Sequence, residues 1–271
     1  MDRVCGLFEL CDIEAEQIRK LGFVFFVFNC IICPMPKLII DIETIGENFD
    51  ELDSATQDVL THWIKKDSDG DEEYEKALGE IKNGLGFSPL TGQIVAIGVL
   101  DYDKNQGVVY FQAPNERFED FQEGNITFKP CSEKEMLENF WKGANAYNEF
   151  ITFNGRGFDV PFLMVRSAAN KVKVAKDLMS NRYLNGQRFG AVHIDLLDQL
   201  SFYGAVRRKG GLHLWCRALG ITSPKAQGVT GDDVAALFKE KRYKDIARYN
   251  VGDLVATKEL YDYWKNYMKA A

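Results

Sequence analysis

Cysteine is scarce in most of this sequence. The 271 residues include 6 cysteines, and four of them precede residue 34. The two that follow, Cys131 and Cys216, give no disulfide framework and are typical of a reducing compartment. We therefore predict a cytoplasmic location.

Histidine is scarcer still, with 3 in the chain, which leaves little room for a hydrolase built on a Ser-His-Asp or Cys-His set. His193 stands two residues before Asp195 in a predicted strand, so a catalytic dyad is one interpretation. Polar residues at strand ends more often satisfy nearby backbone groups, and we favour that role for the pair. Asp198 is predicted to cap the helix that follows.

An excess of basic charge is also missing, since the formal net charge is -7 and the pI is near 5.2. This balance argues against a protein that coats nucleic acid through a basic surface. It does not exclude an enzyme that holds cations with carboxylates, because the bound cations offset the negative charge of such a site.

No apolar run is long enough to cross a membrane. The longest, at residues 21–33, is interrupted by Gly22 and Asn29, whereas a spanning helix needs roughly 20 apolar residues. A signal peptide would need a small-residue cleavage site, and Cys-Ile-Ile-Cys-Pro is a poor one. We predict no stable membrane association.

A domain is predicted to begin at Met35, where Met-Pro-Lys introduces an apolar strand pattern. Residues 1–34 are then an appendage to a domain of residues 35–271. Within the domain, the polar and acidic residues 47–90 carry helical patches between the first and second strands, and we interpret them as an insertion.

Strand and helix patterns alternate along the domain, which predicts an α/β fold with a sheet of mixed strand direction flanked by helices. The first three strands follow one another as hairpins. Predicted strands cover residues 37–42, 93–100, 107–111, 149–153 and 192–196, and predicted helices cover 133–146, 159–169, 212–219, 232–241 and 243–268.

Two carboxylates share one face of the first predicted strand. Asp41 and Glu43 stand at its end in Leu-Ile-Ile-Asp-Ile-Glu-Thr, and strand alternation directs both to the same side. Such a pair repels, and a shared hard cation removes that conflict. A solvated strand exit is the competing interpretation.

A third carboxylate, Asp159, follows a strand and the glycine-rich turn Asn-Gly-Arg-Gly-Phe. The turn places Asp159 in the first turn of a helix, beside a strand end where open α/β sheets bind ligands. A simple helix cap is the alternative.

Tyr249 and Asp253 are four residues apart in a long helical pattern, so they project from one helix face. This spacing is common by chance on solvated helices.

The joint order is more specific. D-x-E, N-x-x-x-F-D and Y-x-x-x-D, in this sequence, resemble the motifs of the DEDD exonuclease superfamily in its tyrosine-bearing branch. The resemblance runs over roughly residues 36–268. Within that superfamily, the sequence is similar to bacterial exonucleases related to the proofreading domain of family B DNA polymerases. The resemblance implies a ribonuclease-H-like fold with a central five-stranded sheet.

The resemblance also implies the roles of these residues. Asp41 would bridge two divalent metal ions, Mg²⁺ or Mn²⁺, and Glu43 and Asp253 would complete one metal site. Asp159 would hold the second ion, either directly or through water, and Tyr249 would position or help to deprotonate the attacking water. Paired metal ions suit phosphodiester hydrolysis, and oxygen ligands favour these ions over zinc.

Substrate contacts are expected from Thr44, Asn154, Phe158, Arg207 and Arg208. Arg207 and Arg208 belong to the densest basic cluster of the domain and suit phosphate contacts, although a solvated turn explains them equally well. Asn154 would contact the 3′-terminal nucleotide or cap its own turn, and Phe158 would stack on a base or fill the core.

The leading functional hypothesis is a stand-alone metal-dependent 3′-5′ exonuclease that acts on single-stranded DNA. A 3′-5′ exoribonuclease would share the same centre, and the sequence offers no reader of the 2′-hydroxyl. A catalytically idle module that binds nucleic acid is the third hypothesis. No obligate protein partner is evident.

Overall fold

A seven-stranded mixed sheet forms the core of the domain. The structure is a computed structural model, and it describes residues 35–68, 70–223 and 231–269. The predicted appendage, residues 1–34, lies outside the described residues. The strands are β1 (Lys37–Gly46), β2 (Gly92–Asp101), β3 (Gln106–Phe111), β4 (Phe121–Glu123), β5 (Ile126–Pro130), β6 (Glu149–Thr152) and β7 (Val192–Asp195).

The strand order is β4-β5-β3-β2-β1-β6-β7. β1, β2 and β3 pair as antiparallel neighbours, as the predicted hairpins require. β6 joins β1 in parallel and β7 joins β6 in parallel, each after a crossover that contains helix. β1 is therefore central, with an antiparallel partner on one side and a parallel partner on the other.

The predicted α/β fold with a mixed sheet is confirmed, and all five predicted strands are present. The predicted strand number is wrong, because β4 and β5 extend the sheet beyond β3. β4 has only three residues, two of them exposed, so it lacks the alternation that identifies a half-buried strand. β1 also runs four residues past its predicted end.

Helices cover both faces of the sheet. The five helices with predicted bounds begin and end close to those bounds, and the αL residue Gly220 ends α7, as glycine commonly does. The helices are α1 (Ser54–Thr61), α2 (Ile64–Asp67), α3 (Asp71–Gly84), α4 (Glu133–Ala144), α5 (Asp159–Ala169), α6 (Leu196–Leu200), α7 (Leu212–Leu219), α8 (Val234–Lys239) and α9 (Tyr243–Tyr263), which continues as a π-helix at Trp264–Met268.

The two sheet faces bury separate cores. On β1, Ile39 and Ile45 belong to the core that α6 to α9 cover, whereas Leu38, Ile40 and Ile42 belong to the core under α4 and α5. Alternation along the strand therefore points residues 41 and 43 toward the face that carries α9.

The segment between β1 and β2 carries α1, α2 and α3, together with 3-10 turns at Phe49–Glu51 and Leu85–Phe87. Its two ends meet, because the Glu47 N–H donates to the Thr91 carbonyl at 2.8 Å. Among the helices that the structure describes, none is long and apolar enough to cross a membrane.

Candidate active site

The two carboxylates of β1 lie in the middle of the strand. Asp41 pairs with Gly98 and Glu43 with Ala96 on β2, and the register shifts just after Glu43. Our prediction that they stand at the strand end is wrong, since β1 continues to Gly46. Their predicted common face is correct, and it is the face that α9 covers.

Helix α9 brings a third carboxylate to the pair. Tyr249 and Asp253 lie one turn apart on this helix, which packs across β1 and β2. One carboxylate oxygen from each of Asp41, Glu43 and Asp253 lies within 4.8 Å of the others. The buried Tyr249 phenol shares a hydrogen bond with Asp253.

Asn250 completes this arrangement, and we did not predict it from the sequence. Its side chain is fully buried, and Nδ2 donates to Asp41 Oδ2 at 2.7 Å. Gly98 makes room for it: a Cβ on Gly98 would overlap Asn250 Oδ1 and would lie 2.8 Å from Leu254 Cδ1. The available signal was Gly98 itself, because a glycine inside a buried strand marks a close approach.

Asp159 lies beside the cluster, and its carboxylate contacts the backbone of β1. It is the first residue of α5, as predicted, and its buried Oδ1 accepts a hydrogen bond from the Ile42 N–H at 3.1 Å. Among the described carboxylates, Asp159 is not one of the three whose oxygens lie within 4.8 Å of one another. It is close enough to raise the pKa of Asp41.

A buried carboxylate fixes the turn that precedes Asp159. Asp195 accepts hydrogen bonds from the backbone N–H groups of Asn154 and Arg156, each at 2.9 Å. Asn154 has a left-handed φ of 62°, and a Cβ on Gly157 would lie 2.6 Å from its Oδ1. The glycine-rich sequence is therefore needed for this tight turn.

The predicted backbone role of His193 and Asp195 is confirmed. His193 contacts Thr152 Oγ1 at 2.8 Å and the Leu178 carbonyl at 3.0 Å, and Asp195 also caps α6. Burial lowers the pKa of His193 to about 4. The predicted capping role of Asp198 is wrong, because this carboxylate lies inside α6 and pairs with a guanidinium, that of Arg182.

Burial and the charges of neighbouring carboxylates raise the pKa of Asp41 and of Glu43. For Asp41, burial is the largest cause of the raised pKa, followed by the charges of Asp253, Asp159 and Glu43. Burial and the charge of Asp253 raise the pKa of Glu43, and a hydrogen bond from Asn250 lowers it in part.

The pKa values of two neighbouring groups, Asp159 and Tyr249, are also raised. Burial raises the pKa of Asp159 to about 7, although the hydrogen bonds from the backbone lower it in part. Burial and the nearby carboxylates also raise the pKa of the Tyr249 phenol. The site thus concentrates negative charge where water stabilises it poorly.

The donor set fits a hard divalent cation. It supplies oxygen ligands only, and Glu43 Oε1 is buried without a hydrogen-bond partner among the residues that the structure describes. An unpartnered buried carboxylate oxygen is costly, and a coordinated cation removes that cost. Asp41, Glu43 and Asp253 are the residues that could hold such an ion.

The residues predicted to contact substrate are spread over several elements. Thr44 is half-buried and donates to the Gly86 carbonyl at 2.7 Å, and Phe158 is half-buried at the start of α5. Asn154 is exposed. Arg207 and Arg208 are exposed in a turn after α6.

This mixed sheet, with carboxylates from β1 and α9 meeting over its central strand, defines a ribonuclease-H-like protein of the exonuclease class. The chain belongs to a family of predicted 3′-5′ exonucleases related to the exonuclease domain of PolB, whose model matches residues 90–269. The match includes Asp159, Tyr249 and Asp253 and begins after Asp41 and Glu43. A comparison with curated proteins finds no match.

Proposed function

We propose that the protein is a metal-dependent 3′-5′ exonuclease that hydrolyses single-stranded DNA with two divalent ions, Mg²⁺ or Mn²⁺. The observation that carries the proposal is the cluster of Asp41, Glu43 and Asp253, in a chain that belongs to an exonuclease family. Three carboxylates held this close together, with raised pKa values at Asp41 and Glu43, are unfavourable without cations, which argues against an idle module.

The four carboxylates would form two metal sites that share Asp41. Asp41, Glu43 and Asp253 would hold one ion, and Asp41 would share the second with Asp159 through water. Ions bound there would supply Lewis acidity toward the phosphodiester and its 3′ leaving oxygen. Asn250 orients Asp41 through its amide, as partners of metal ligands commonly do.

Tyr249 is proposed to orient the attacking water. Its hydroxyl lies beside Asp253 and can both donate and accept hydrogen bonds. The exposed amide of Asn154, held by the turn that Asp195 fixes, is proposed to contact the 3′-terminal nucleotide. Arg207 and Arg208 are proposed to contact phosphates farther along the strand.

One experiment tests the activity and its substrate. Single-stranded DNA and RNA of matched sequence, labelled at the 5′ end, are incubated with the protein and Mn²⁺. We expect successive shortening of the DNA from its 3′ end and slower shortening of the RNA. Preferred digestion of RNA would make the protein an exoribonuclease.

Asp41→Ala should abolish nucleotide release, and Asp245→Ala serves as its control. Asp245 is also an α9 carboxylate, but it pairs with Arg248 outside the cluster. The proposal fails if the purified wild-type protein releases no nucleotide from either strand in Mn²⁺ or Mg²⁺.

We also propose that residues 35–271 suffice for this activity, that the protein acts in the cytoplasm, and that it needs no obligate protein partner. The sheet, its helices and the carboxylate cluster all lie after residue 34. Deletion of residues 1–34 should therefore leave the rate of nucleotide release unchanged. A truncated protein that fails to fold would contradict this.

A further inference from the structure

A groove of about 960 Å³ opens directly beside the carboxylate cluster. Glu43 lines it, so the groove is continuous with the site. One wall comes from the segment between β1 and β2, which contributes Phe87, and another from α8, which contributes Phe238. The insertion predicted from the sequence is thus part of the surroundings of the active site.

An aromatic side chain of the insertion stands open to solvent in this groove. Phe87 is 63% exposed, and its ring centroid lies 6.5 Å from that of Phe158 in an edge-on arrangement. Phe158 in turn lies 5.1 Å from Phe162, which is buried in the core. The two groove-lining rings therefore form a platform anchored to the core.

Phe87 is held firmly in place. The neighbouring residue Leu85 is buried, and Gly86 accepts a hydrogen bond from Thr44 on β1. Gly46 and Gly86 approach so closely that a Cβ on Gly86 would lie 2.9 Å from the Gly46 nitrogen. The position of Phe87 is thus fixed relative to the strand that carries Asp41 and Glu43.

The charge of the groove is balanced. Its charged lining residues are Glu43, Glu47, Lys82 and Lys239, and Lys82 is already paired with Asp50 at 2.9 Å. Attraction of phosphates alone would therefore bind a strand weakly here. Stacking of bases on aromatic rings is the stronger contribution that the groove offers, and only unpaired bases expose their faces for it.

We propose that this groove binds the 3′-terminal bases of a single-stranded nucleic acid, with one base stacked on Phe87. The inference rests on the proposed function and deepens it, because it assigns a substrate-binding role to the insertion. Phe158, whose ring contacts that of Phe87, forms the neighbouring part of the platform.

The test measures binding without hydrolysis. The probe is a single-stranded oligodeoxynucleotide with a hydrolysis-resistant phosphorothioate at its last linkage and 2-aminopurine as its terminal base, in Ca²⁺. Stacking should quench the fluorescence of 2-aminopurine. Phe87→Ala should remove this quenching and weaken binding roughly 5- to 150-fold, the range expected when one base no longer stacks on an aromatic ring.

Three variants define the role of the ring. Phe87→Trp should restore both quenching and affinity, whereas Phe87→Leu should restore neither. Phe189→Ala is the matched control, because Phe189 is 81% exposed and does not line the groove. Binding by Phe87→Ala within twofold of wild type, or full rescue by Phe87→Leu, would overturn the inference.

Two further outcomes separate this inference from the proposed function. If the wild-type protein binds and quenches the probe but releases no nucleotide in Mn²⁺, the inference stands and the exonuclease proposal fails. If it digests DNA while Phe87→Ala keeps the wild-type KM, only the inference fails. A blunt duplex that competes as well as the single strand would also overturn it.

Discussion

Replacement of Asn250 by alanine should weaken metal binding more than it weakens the fold. Asn250 donates to Asp41 Oδ2 at 2.7 Å, and within the described part of the chain its own Oδ1 is buried without a hydrogen-bond partner. Alanine removes the hydrogen bond that orients Asp41, but it also removes one unsatisfied buried acceptor. The two changes oppose each other in the free energy of unfolding of the metal-free protein.

The expected loss of metal affinity follows from this hydrogen bond. A hydrogen bond to a charged group contributes about 1.5–3 kcal/mol. Loss of a partner that orients a metal ligand costs about 10- to 100-fold in affinity, which corresponds to roughly 1.4–2.7 kcal/mol. The two ranges agree, so we expect the Kd for Mn²⁺ to rise by about 10- to 100-fold.

Calorimetric titration with Mn²⁺ checks this value, and urea denaturation of the metal-free protein measures the free energy of unfolding. Thr257→Ala is the matched control, because Thr257 is a buried polar residue of the same helix, about two turns away. Thr257→Ala should leave the Kd for Mn²⁺ unchanged. An Asn250→Ala protein that binds Mn²⁺ within twofold of wild type would refute the reasoning.

Three other predictions use separate measurements. Gly98→Ala should destabilise the protein by about 1–3 kcal/mol in urea and weaken Mn²⁺ binding, because the new Cβ overlaps the Asn250 amide; an unchanged Kd would contradict this. The folded pKa of His193 is about 4, below its ordinary value of 6.5, so its stabilising contribution is present above pH 6.5 and is lost as the pH falls toward 4. His193→Gln should therefore remove about 3 kcal/mol of the acid-induced loss of unfolding free energy, and equal losses in both proteins would refute this assignment. Joint replacement of Arg207 and Arg208 by alanine should reduce the salt dependence of single-strand binding by about 0.7 in log-log slope for each phosphate that the variant no longer neutralises, and an unchanged slope would exclude the two arginines from the binding path.

The sequence was most informative where the chemistry depends on local spacing. Strand alternation put Asp41 and Glu43 on one face, and helical spacing put Tyr249 and Asp253 on one face. The meeting of these two faces is not visible in either pattern alone, and it was expected only because the three motifs occur in a known order.

Features that depend on distant partners were missed. Asn250 on α9 fits into the site only because Gly98 on β2 leaves room for its side chain. Asp195 fixes a turn that lies about 40 residues earlier in the chain. Asp195 also caps α6, a role that we predicted for Asp198, because either carboxylate could have capped a helix that begins here. Such choices are decided by tertiary contacts and not by propensity.

The segment between β1 and β2 leaves the sheet and returns to it at nearly the same point. Its ends meet at the hydrogen bond between Glu47 and Thr91, and β1 pairs with β2 directly beside this point. Exposed residues of α1 to α3 can therefore be exchanged while the buried Phe49, Ile64 and Leu85 keep their places and the carboxylates keep their positions. Variants of these exposed residues offer a route to alter the proposed binding of a single strand without changing the carboxylates.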